Sequence, residues 1–239
     1  LAGEVADVLD IEWTRYDVTG GPDRRSDLLD IKQGLNYLYV DFLLDFLEQL
    51  QDAHGPMTLV TGDGGDKALP DLTPGRSLET VDDLVEYALA QNALFSATDA
   101  ASIAGIDRHQ LIESVRDRFQ SYPEVSHEAA YVHFLVRERG VNWLNEGEDR
   151  NRYFGWSVSP FYSLPFFRYA MNCPDEQKRG NRLYHEFLRK LSPDLLEVEY
   201  ADFGAVPTSF EYRLKRLGYE TIGRYPWVQD TVVQLLRGE

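Results

Sequence analysis

The sequence contains almost no cysteine and no long apolar run. Its single cysteine, Cys173, cannot form an internal disulfide, which fits a reducing compartment such as the cytoplasm. No stretch approaches the roughly 18 consecutive apolar residues that a membrane-spanning helix needs. No charged-then-apolar leader opens the chain. These absences predict a soluble, cytoplasmic protein without a membrane partner.

Basic residues, and lysine above all, are scarce. The 239 residues contain 40 Asp and Glu against 24 Lys and Arg, and five of these bases are lysine, so the net charge is −16. Such a charge repels nucleic acid and anionic membranes, and we expect neither as a partner. The carboxylates are spread along the chain, which is typical of salt-adapted proteins such as those of halophilic archaea. An acidic interaction surface is the alternative.

The common catalytic signatures are missing as well. The chain has no Gly-x-x-x-x-Gly-Lys-(Ser/Thr) for a P-loop, no Gly-x-Gly-x-x-Gly for a dinucleotide site and no Gly-x-Ser-x-Gly for a hydrolase. None of the five histidines lies four residues from another, which excludes a helical zinc pair. We interpret the histidines as surface or core residues.

Residues 57–67 carry the strongest functional signal. The β-branched and aliphatic run at 57–61 predicts a buried strand, and a glycine- and aspartate-rich turn follows it directly. Such glycines let the backbone approach a ligand closely, and carboxylates suit Mg²⁺. A ligand loop at the carboxyl end of a parallel strand is one interpretation. A hairpin turn is the other, because Asp-Gly favours hairpins, although residues 68–75 show no strand alternation.

The pattern before this loop predicts an α/β fold. Residues 1–9 favour a helix and residues 11–18 alternate like a strand. Residues 30–51 carry a wide helical stripe that leads to the strand at 57–61. A strand, a helix and a second strand with connections of this length predict a right-handed βαβ crossover in a parallel sheet.

The pattern after the loop changes to helices. From residue 80 to 190 there is almost no strand signal, and a short terminal helix is predicted at 231–236. A chain of 239 residues does not require two domains. We therefore predict a single domain, with an α/β part at 1–70 and a mainly helical part at 71–239 that packs on the sheet edge.

Two later segments have unusual composition. Residues 153–169 contain eight aromatic side chains, which we interpret as core packing because base stacking needs interleaved basic residues. Residues 178–190 contain five basic residues. Arg182 and Arg189 share a helical face with Glu186, so an intrahelical ion pair on a solvated face is one interpretation. A phosphate contact by Arg182 is the other.

The glycine loop and the later segments together resemble one family. Residues 61–66, Thr-Gly-Asp-Gly-Gly-Asp, are similar to the Ser-Gly-(Glu/Asp)-Gly-(Ser/Gly)-Asp loop of the asparagine synthase domain, the ATP-pyrophosphatase half of glutamine-dependent asparagine synthetases. Residues 160–161, 166–172 and 181–189 are similar, in the same order, to that family's Pro-Phe-Leu-Asp, Ala-Met-Asn and Gly-Lys-x-x-x-(+)-x-x-Leu-Arg series. The resemblance extends over residues 1–200.

The resemblance implies both a fold and a reaction. The fold is α/β, with a parallel-sheet core of the PP-loop or adenine nucleotide alpha hydrolase-like class, here incomplete at the N-terminus, and a mainly helical C-terminal layer. The reaction is ATP-dependent adenylylation of an aspartate-like carboxylate. Ammonia or glutamine-derived nitrogen then attacks to give an amide, with AMP and pyrophosphate released. ATP and Mg²⁺ are the implied cofactors, and a homodimer is left open.

The family's motifs also imply roles for particular residues. The resemblance assigns the Mg²⁺ ligand to Asp66 and the cation that holds pyrophosphate to Arg182, where the family has lysine. Asp63 matches an acidic residue near the incoming amine, which it would orient and deprotonate. The implied ATP-binding set is Gly62, Gly64, Gly65 and Arg182.

Three departures from the family keep a second hypothesis open. The phosphate-gripping Ser-Gly-Gly-x-Asp-Ser loop is absent, the Asp-Glu pair is Asp66-Lys67 here, and the Gly-Gly-Tyr is replaced at residues 68–70. Because residues 1–9 look like the helix after the absent loop, we expect a missing N-terminal region of the same polypeptide, without which the 239 residues are inactive. The alternative is a non-catalytic or diverged homologue that binds a nucleotide or a partner.

Overall fold

The computed structural model describes residues 1–20, 22–32, 41–144 and 146–224. Across these ranges the chain is mainly helical, with a short two-stranded parallel sheet. Residues 33–40 of the helix predicted at 30–51, and the terminal helix predicted at 231–236, lie outside the described residues. No helix within the described ranges is both long enough and apolar enough to cross a bilayer.

The elements follow the chain in this order. The first group is α1 (Ala2–Leu9), α2 (Pro22–Lys32), α3 (Phe42–His54), β1 (Thr58–Val60), α4 (Gly65–Ala68), α5 (Val81–Asn92), α6 (Ala97–Ala104), α7 (Arg108–Gln120) and α8 (His127–Phe134). The second group is a π-helical stretch (Leu135–Leu144), α9 (Glu146–Phe154), β2 (Trp156–Val158), a 3-10 turn (Pro160–Tyr162), α10 (Leu164–Met171), α11 (Asp175–Lys178), a 3-10 turn (Arg179–Asn181), α12 (Arg182–Leu191), a 3-10 turn (Pro193–Glu197) and α13 (Phe210–Arg224).

The chain folds into two compact units. The first combines Leu1–Pro70 with Glu138–Leu195 and contains both strands. The second combines Asp71–Arg137 with the described residues after Leu195. Every residue of the predicted site belongs to the first unit.

The pairing of the two strands decides between the loop and hairpin interpretations. A strand is present as predicted at 57–61, as β1, and it pairs in parallel with β2, with Thr58 opposite Trp156 and Val60 opposite Val158. The burial predicted for this strand is wrong, because Thr58 and Val60 are exposed. Residues 65–68, which a hairpin would need as the start of a returning strand, form α4 instead. The hairpin interpretation is therefore wrong. β2 lies in a stretch where almost no strand was expected, although residues 80–190 are otherwise mainly helical within the described ranges, as predicted.

The strand predicted at 11–18 is not formed, because residues 11–20 contain no regular element. Residues 11–20 instead contact α3 through side chains. The ring of Tyr16 packs edge-on against Phe46 at 5.7 Å, and its hydroxyl lies 3.0 Å from Nε2 of His54. The side-chain amide of Gln49 donates to the main-chain oxygen of Asp17. An alternating sequence forms a strand when a neighbouring strand supplies backbone hydrogen bonds, and here a helix is the neighbour.

Helix α3 delivers the chain to β1. Asp41 accepts a hydrogen bond from the backbone of Phe42 at the start of α3, and Leu44 and Leu47 bury its inner face. Gly55 ends the helix with φ 69, a left-handed value that glycine adopts without a steric penalty. Arg24 of α2 contacts Glu48 and Asp45 of α3, and these hydrogen bonds raise the pKa of its guanidinium above the ordinary range. Helix α3, which precedes β1, is therefore capped at its start by Asp41, contacted by Arg24 of α2 and ended by Gly55.

The second unit has a helical core, in line with the mainly helical part predicted after the loop. Leu84 and Val85 of α5, Phe119 of α7 and Tyr131 of α8 are buried in one cluster. Capping boxes begin two of these helices, at Thr80 for α5 and at Asp107 for α7, and Ser126 caps α8. Each cap satisfies backbone N–H groups that would otherwise lack a partner in the first turn, so local sequence fixes the helix starts.

Candidate functional site

The glycine loop lies at the carboxyl ends of both strands. β1 ends at Val60, and the next residue, Thr61, still donates its backbone N–H to the oxygen of Val158 at 2.9 Å. The chain then forms the loop and enters the short helix α4. β2 ends at Val158 and leads into the turn Pro160–Tyr162. Because the strands are parallel, the two connections leave the sheet at the same edge, where open α/β sheets bind ligands.

The segment after β2 closes over the loop. Ser159 donates its hydroxyl to the main-chain oxygen of Asp63. The ring of Tyr162 lies against Gly64, and the ring of Phe161 lies against Gly65. The two parts of the sequence that carry the family resemblance, far apart along the chain, therefore meet in the folded protein.

The surroundings of the three loop glycines differ, and so does the reason why each position carries glycine. Gly64 has φ +84, and a Cβ there would lie 2.8 Å from Cζ of Tyr162. A Cβ on Gly65 would lie 3.2 Å from Cε2 of Phe161. Gly62 is exposed, and a Cβ on it would meet nothing within 4 Å. Packing against the aromatic rings explains Gly64 and Gly65, whereas Gly62 is the loop glycine with open space for a ligand.

Asp66 stands in the first turn of α4 with its carboxylate in solvent. Its side chain is 57% exposed, and its Oδ2 forms an ion pair with Nζ of Lys67. Oδ1 is not part of that pair. One or two carboxylate oxygens suffice for Mg²⁺ when phosphate oxygens and water complete the octahedron. Asp66 thus fits a metal shared with a nucleotide. Within the described ranges no group of three or more His, Cys, Asp and Glu forms a protein-only metal site.

Asp63 directly precedes Gly64 in the sequence, and it is half-buried. Its main-chain oxygen is held by Ser159. The backbone N–H of Gly65 donates to the oxygen of Gly62 at 3.1 Å, which folds the loop back on itself at this residue. The Asp63 carboxylate is therefore carried by a backbone that is bonded on both sides.

Arg182 opens α12, and its side chain is exposed. The ion pair considered for this helix forms between Arg189 and Glu186 and does not include Arg182. Helix α12 is tied to the same aromatic cluster that covers the loop, because Phe187 packs against Phe161 at 6.2 Å and against Phe166 at 6.3 Å. The contacts that link this helix to the loop region are made by Phe187 and not by the guanidinium of Arg182.

The aromatic segment at 153–169 is divided in its packing. Phe161 and Phe166 pack as predicted, with their ring centroids 5.5 Å apart. Three members of the predicted core are largely exposed instead: Tyr153 at 69%, Trp156 at 68% and Tyr169 at 74%. The prediction of a common aromatic core is therefore correct for the part next to the glycine loop and wrong for these three exposed side chains.

Three residues were not predicted from the sequence to make contacts at the loop: Ser159, Tyr162 and Lys67. The first two lie in a segment whose proximity depends on the pairing of β1 with β2, and a three-residue strand gives too short a pattern to reveal it. Lys67 was visible as a departure from the family. Comparison of the chain with protein-family models, with curated proteins and with solved structures gives no match.

Proposed function

We propose that this chain is part of a cytoplasmic, asparagine synthetase-like, ATP-dependent ligase that forms an amide. It adenylylates an aspartate-like carboxylate with ATP, and ammonia or glutamine-derived nitrogen then displaces AMP. The observation that carries the proposal is the meeting of the two resembling segments at one sheet edge, where the ring of Phe161 lies against Gly65. The residues on either side of Pro160-Phe161 add contacts, Ser159 with Asp63 and Tyr162 with Gly64. A chance likeness of two separate short segments gives no reason for them to be in contact.

We further propose that β1 and β2 are two strands of a larger parallel sheet of the PP-loop type. Parallel sheets are normally covered on both faces. Here one face carries Val60, 70% exposed, and Trp156, 68% exposed. The opposite face carries the half-buried Leu59 and the buried Ser157. Large apolar side chains on an uncovered parallel sheet support additional strands and a covering layer in the complete protein.

The residues divide the proposed chemistry between them. Pyrophosphate leaving ATP carries several negative charges, so positive charge must be in place as the bond breaks. Asp66 would hold Mg²⁺, which supplies such charge to the leaving phosphates when bound. Arg182, exposed at the start of α12, offers a guanidinium to phosphate oxygens, and Gly62 leaves room for the nucleotide. Asp63 would orient the amine and accept its proton.

The test is pyrophosphate release from ATP by the polypeptide that includes the expected upstream Ser-Gly-Gly-x-Asp-Ser segment. At saturating ATP, Asp66→Asn and Arg182→Ala should each abolish most of the release while the circular-dichroism spectrum stays unchanged. Asp63→Asn should spare adenylate formation relative to amide formation. Lys190→Ala, which removes an exposed charge from the far end of α12, is the matched control. Near-normal release by Asp66→Asn and Arg182→Ala would show that the site is misplaced.

The alternative is a non-catalytic homologue that binds a nucleotide or a partner. Two observations favour it: the aromatic rings account for Gly64 and Gly65 without a ligand, and Lys67 pairs with Asp66 where the family has an acidic residue. The upstream sequence discriminates between the hypotheses. An unbroken full-length chain without the Ser-Gly-Gly-x-Asp-Ser motif supports the binding module and removes the ligase.

A further inference from the structure

Lys67 is held in an unusual way for a lysine of an acidic protein. Its side chain is 14% exposed, whereas the side chain of its partner Asp66 is 57% exposed. Burying the flexible stem of a lysine costs conformational freedom, and in this chain Lys178 is buried as well, at 4%. The stem of Lys67 therefore lies against the protein, and its ammonium is placed beside the exposed carboxylate of Asp66.

The position of this ammonium is the glycine loop itself. Nζ of Lys67 contacts Oδ2 of Asp66, and the backbone N–H of Lys67 donates to the oxygen of Gly64 at 3.1 Å. Gly62, three residues before α4, is the open part of the same loop. The loop therefore contains a positive charge of its own, beside the carboxylate that we assign to Mg²⁺.

A matched lysine elsewhere in the chain shows the difference. Lys215 of α13 also pairs with a carboxylate of its own helix, Glu211, at 2.6 Å. Its side chain is 43% exposed, and its Nζ also donates to the main-chain oxygen of Gly204 at 3.2 Å, outside the strand-ending loop at 62–67. Lys215 shows an ordinary surface pair of the kind that contributes little to stability.

We propose that Lys67 is a phosphate-binding residue of the loop, which supplies a built-in cation to the pyrophosphate part of the nucleotide. This inference rests on the proposed function, and it adds a residue whose charge is opposite to that of its family counterpart. In the free protein Asp66 neutralises the ammonium. When a phosphate arrives, Nζ exchanges the carboxylate oxygen for phosphate oxygens, and the released carboxylate becomes available to Mg²⁺. No covalent bond changes.

The experiment measures binding of inorganic pyrophosphate by calorimetry, with a chelator present and no divalent metal, at one fixed salt concentration. The 239-residue chain should bind pyrophosphate under these conditions. Lys67→Gln should weaken binding at least tenfold, while Lys215→Gln, with the same charge change, should stay within twofold. Asp66→Asn should tighten metal-free binding several-fold, because it removes both the competing partner of Lys67 and a repelling carboxylate.

Each outcome decides the proposal. It is overturned if the unmodified chain does not bind metal-free pyrophosphate, or if Lys67→Gln and Lys215→Gln behave alike. If Lys67→Gln does not fold, Asp66→Asn decides in comparison with Asp63→Asn, which removes a carboxylate of the same loop without freeing Lys67. Binding that tightens more for Asp66→Asn supports the role of Lys67, and equal or smaller tightening overturns it. If the unmodified full-length polypeptide has no ligase activity but binds pyrophosphate through Lys67, the proposed function is wrong and the phosphate-binding role of Lys67 stands.

Discussion

The helical core around α5, α7 and α8 and the two-stranded sheet with its loop are stabilised in different ways. In the core, Leu84 is 1% exposed and Tyr131 is 6% exposed, and each helix begins with a side-chain cap. In the sheet, Val60 and Trp156 are mainly exposed, and the loop is fixed by one hydroxyl and two rings. Packing holds the first region, and a few specific contacts hold the second.

The contrast between the helical core and the glycine loop indicates which of the two regions can bind a ligand. A close-packed helical core has no room for a ligand and resists change. The loop at the sheet edge combines an open glycine, an exposed carboxylate and a fixed ammonium. Regions with few buried contacts are the regions from which binding loops are normally drawn.

The largest expected effect tests the packing side of the comparison. Leu84→Ala should cost about 2–5 kcal/mol of unfolding free energy, since it opens a cavity in the core. Val60→Ala should cost no more than about 0.5 kcal/mol, since that side chain is already in solvent. Denaturant unfolding of both variants at one salt concentration measures the difference. Equal losses would mean that the sheet face is covered in solution.

The next effect separates two glycines of the loop. Gly64→Ala should cost about 1–2 kcal/mol from the left-handed backbone alone, with the Tyr162 ring adding to the loss. Gly62→Ala should leave the melting temperature nearly unchanged and weaken pyrophosphate binding, because a methyl group would enter the open part of the loop. Thermal melts and calorimetry on the same two variants check both statements. Similar melting temperatures for the two would contradict the structural reasons given for these glycines.

The smallest effect concerns a carboxylate of the helical unit. Glu128 accepts the backbone N–H of Leu78 at 2.9 Å, and this bond, above all, lowers the pKa of Glu128 below its ordinary value of 4.5. A lowered pKa stabilises the fold above the unfolded-state value, and that contribution is lost as the pH falls through the folded-state value. Glu128→Gln should therefore cost about 1 kcal/mol at neutral pH, since the carboxylate is partly exposed.

The pH series supplies the control for this prediction. The difference between Glu128→Gln and the unmodified chain should shrink as the pH falls from 4.5 through the lowered folded-state pKa of Glu128, below which both chains carry an uncharged side chain at this position. Glu86→Gln, which removes one charge from an exposed position on α5, is the matched control for the change in net charge. A constant difference for Glu128→Gln between neutral and acidic pH would show that its hydrogen bond does not depend on the charge.

The sequence was a good guide where structure is local. The mainly helical character predicted for residues 80–190 is confirmed within the described ranges, where side chains such as Asp107 and Ser126 cap the helix starts. The predicted strand before the glycine loop is present as β1. The strand at 11–18 failed because its alternation says nothing about the neighbour, which is helix α3. β2 was missed because three residues give no readable period.

By itself, the sequence determined the helix starts, the apolar stripes of the helical core, the strong acidic charge and the glycine-rich turn after a strand. These follow from bonds and periodicities within a few residues of each position. Tertiary structure alone decided that β1 pairs with β2, that Ser159 and Tyr162 close over the loop, and that Lys67 turns back to Asp66. Such contacts join residues distant in the chain, or choose one of many side-chain directions, and the surrounding packing makes that choice.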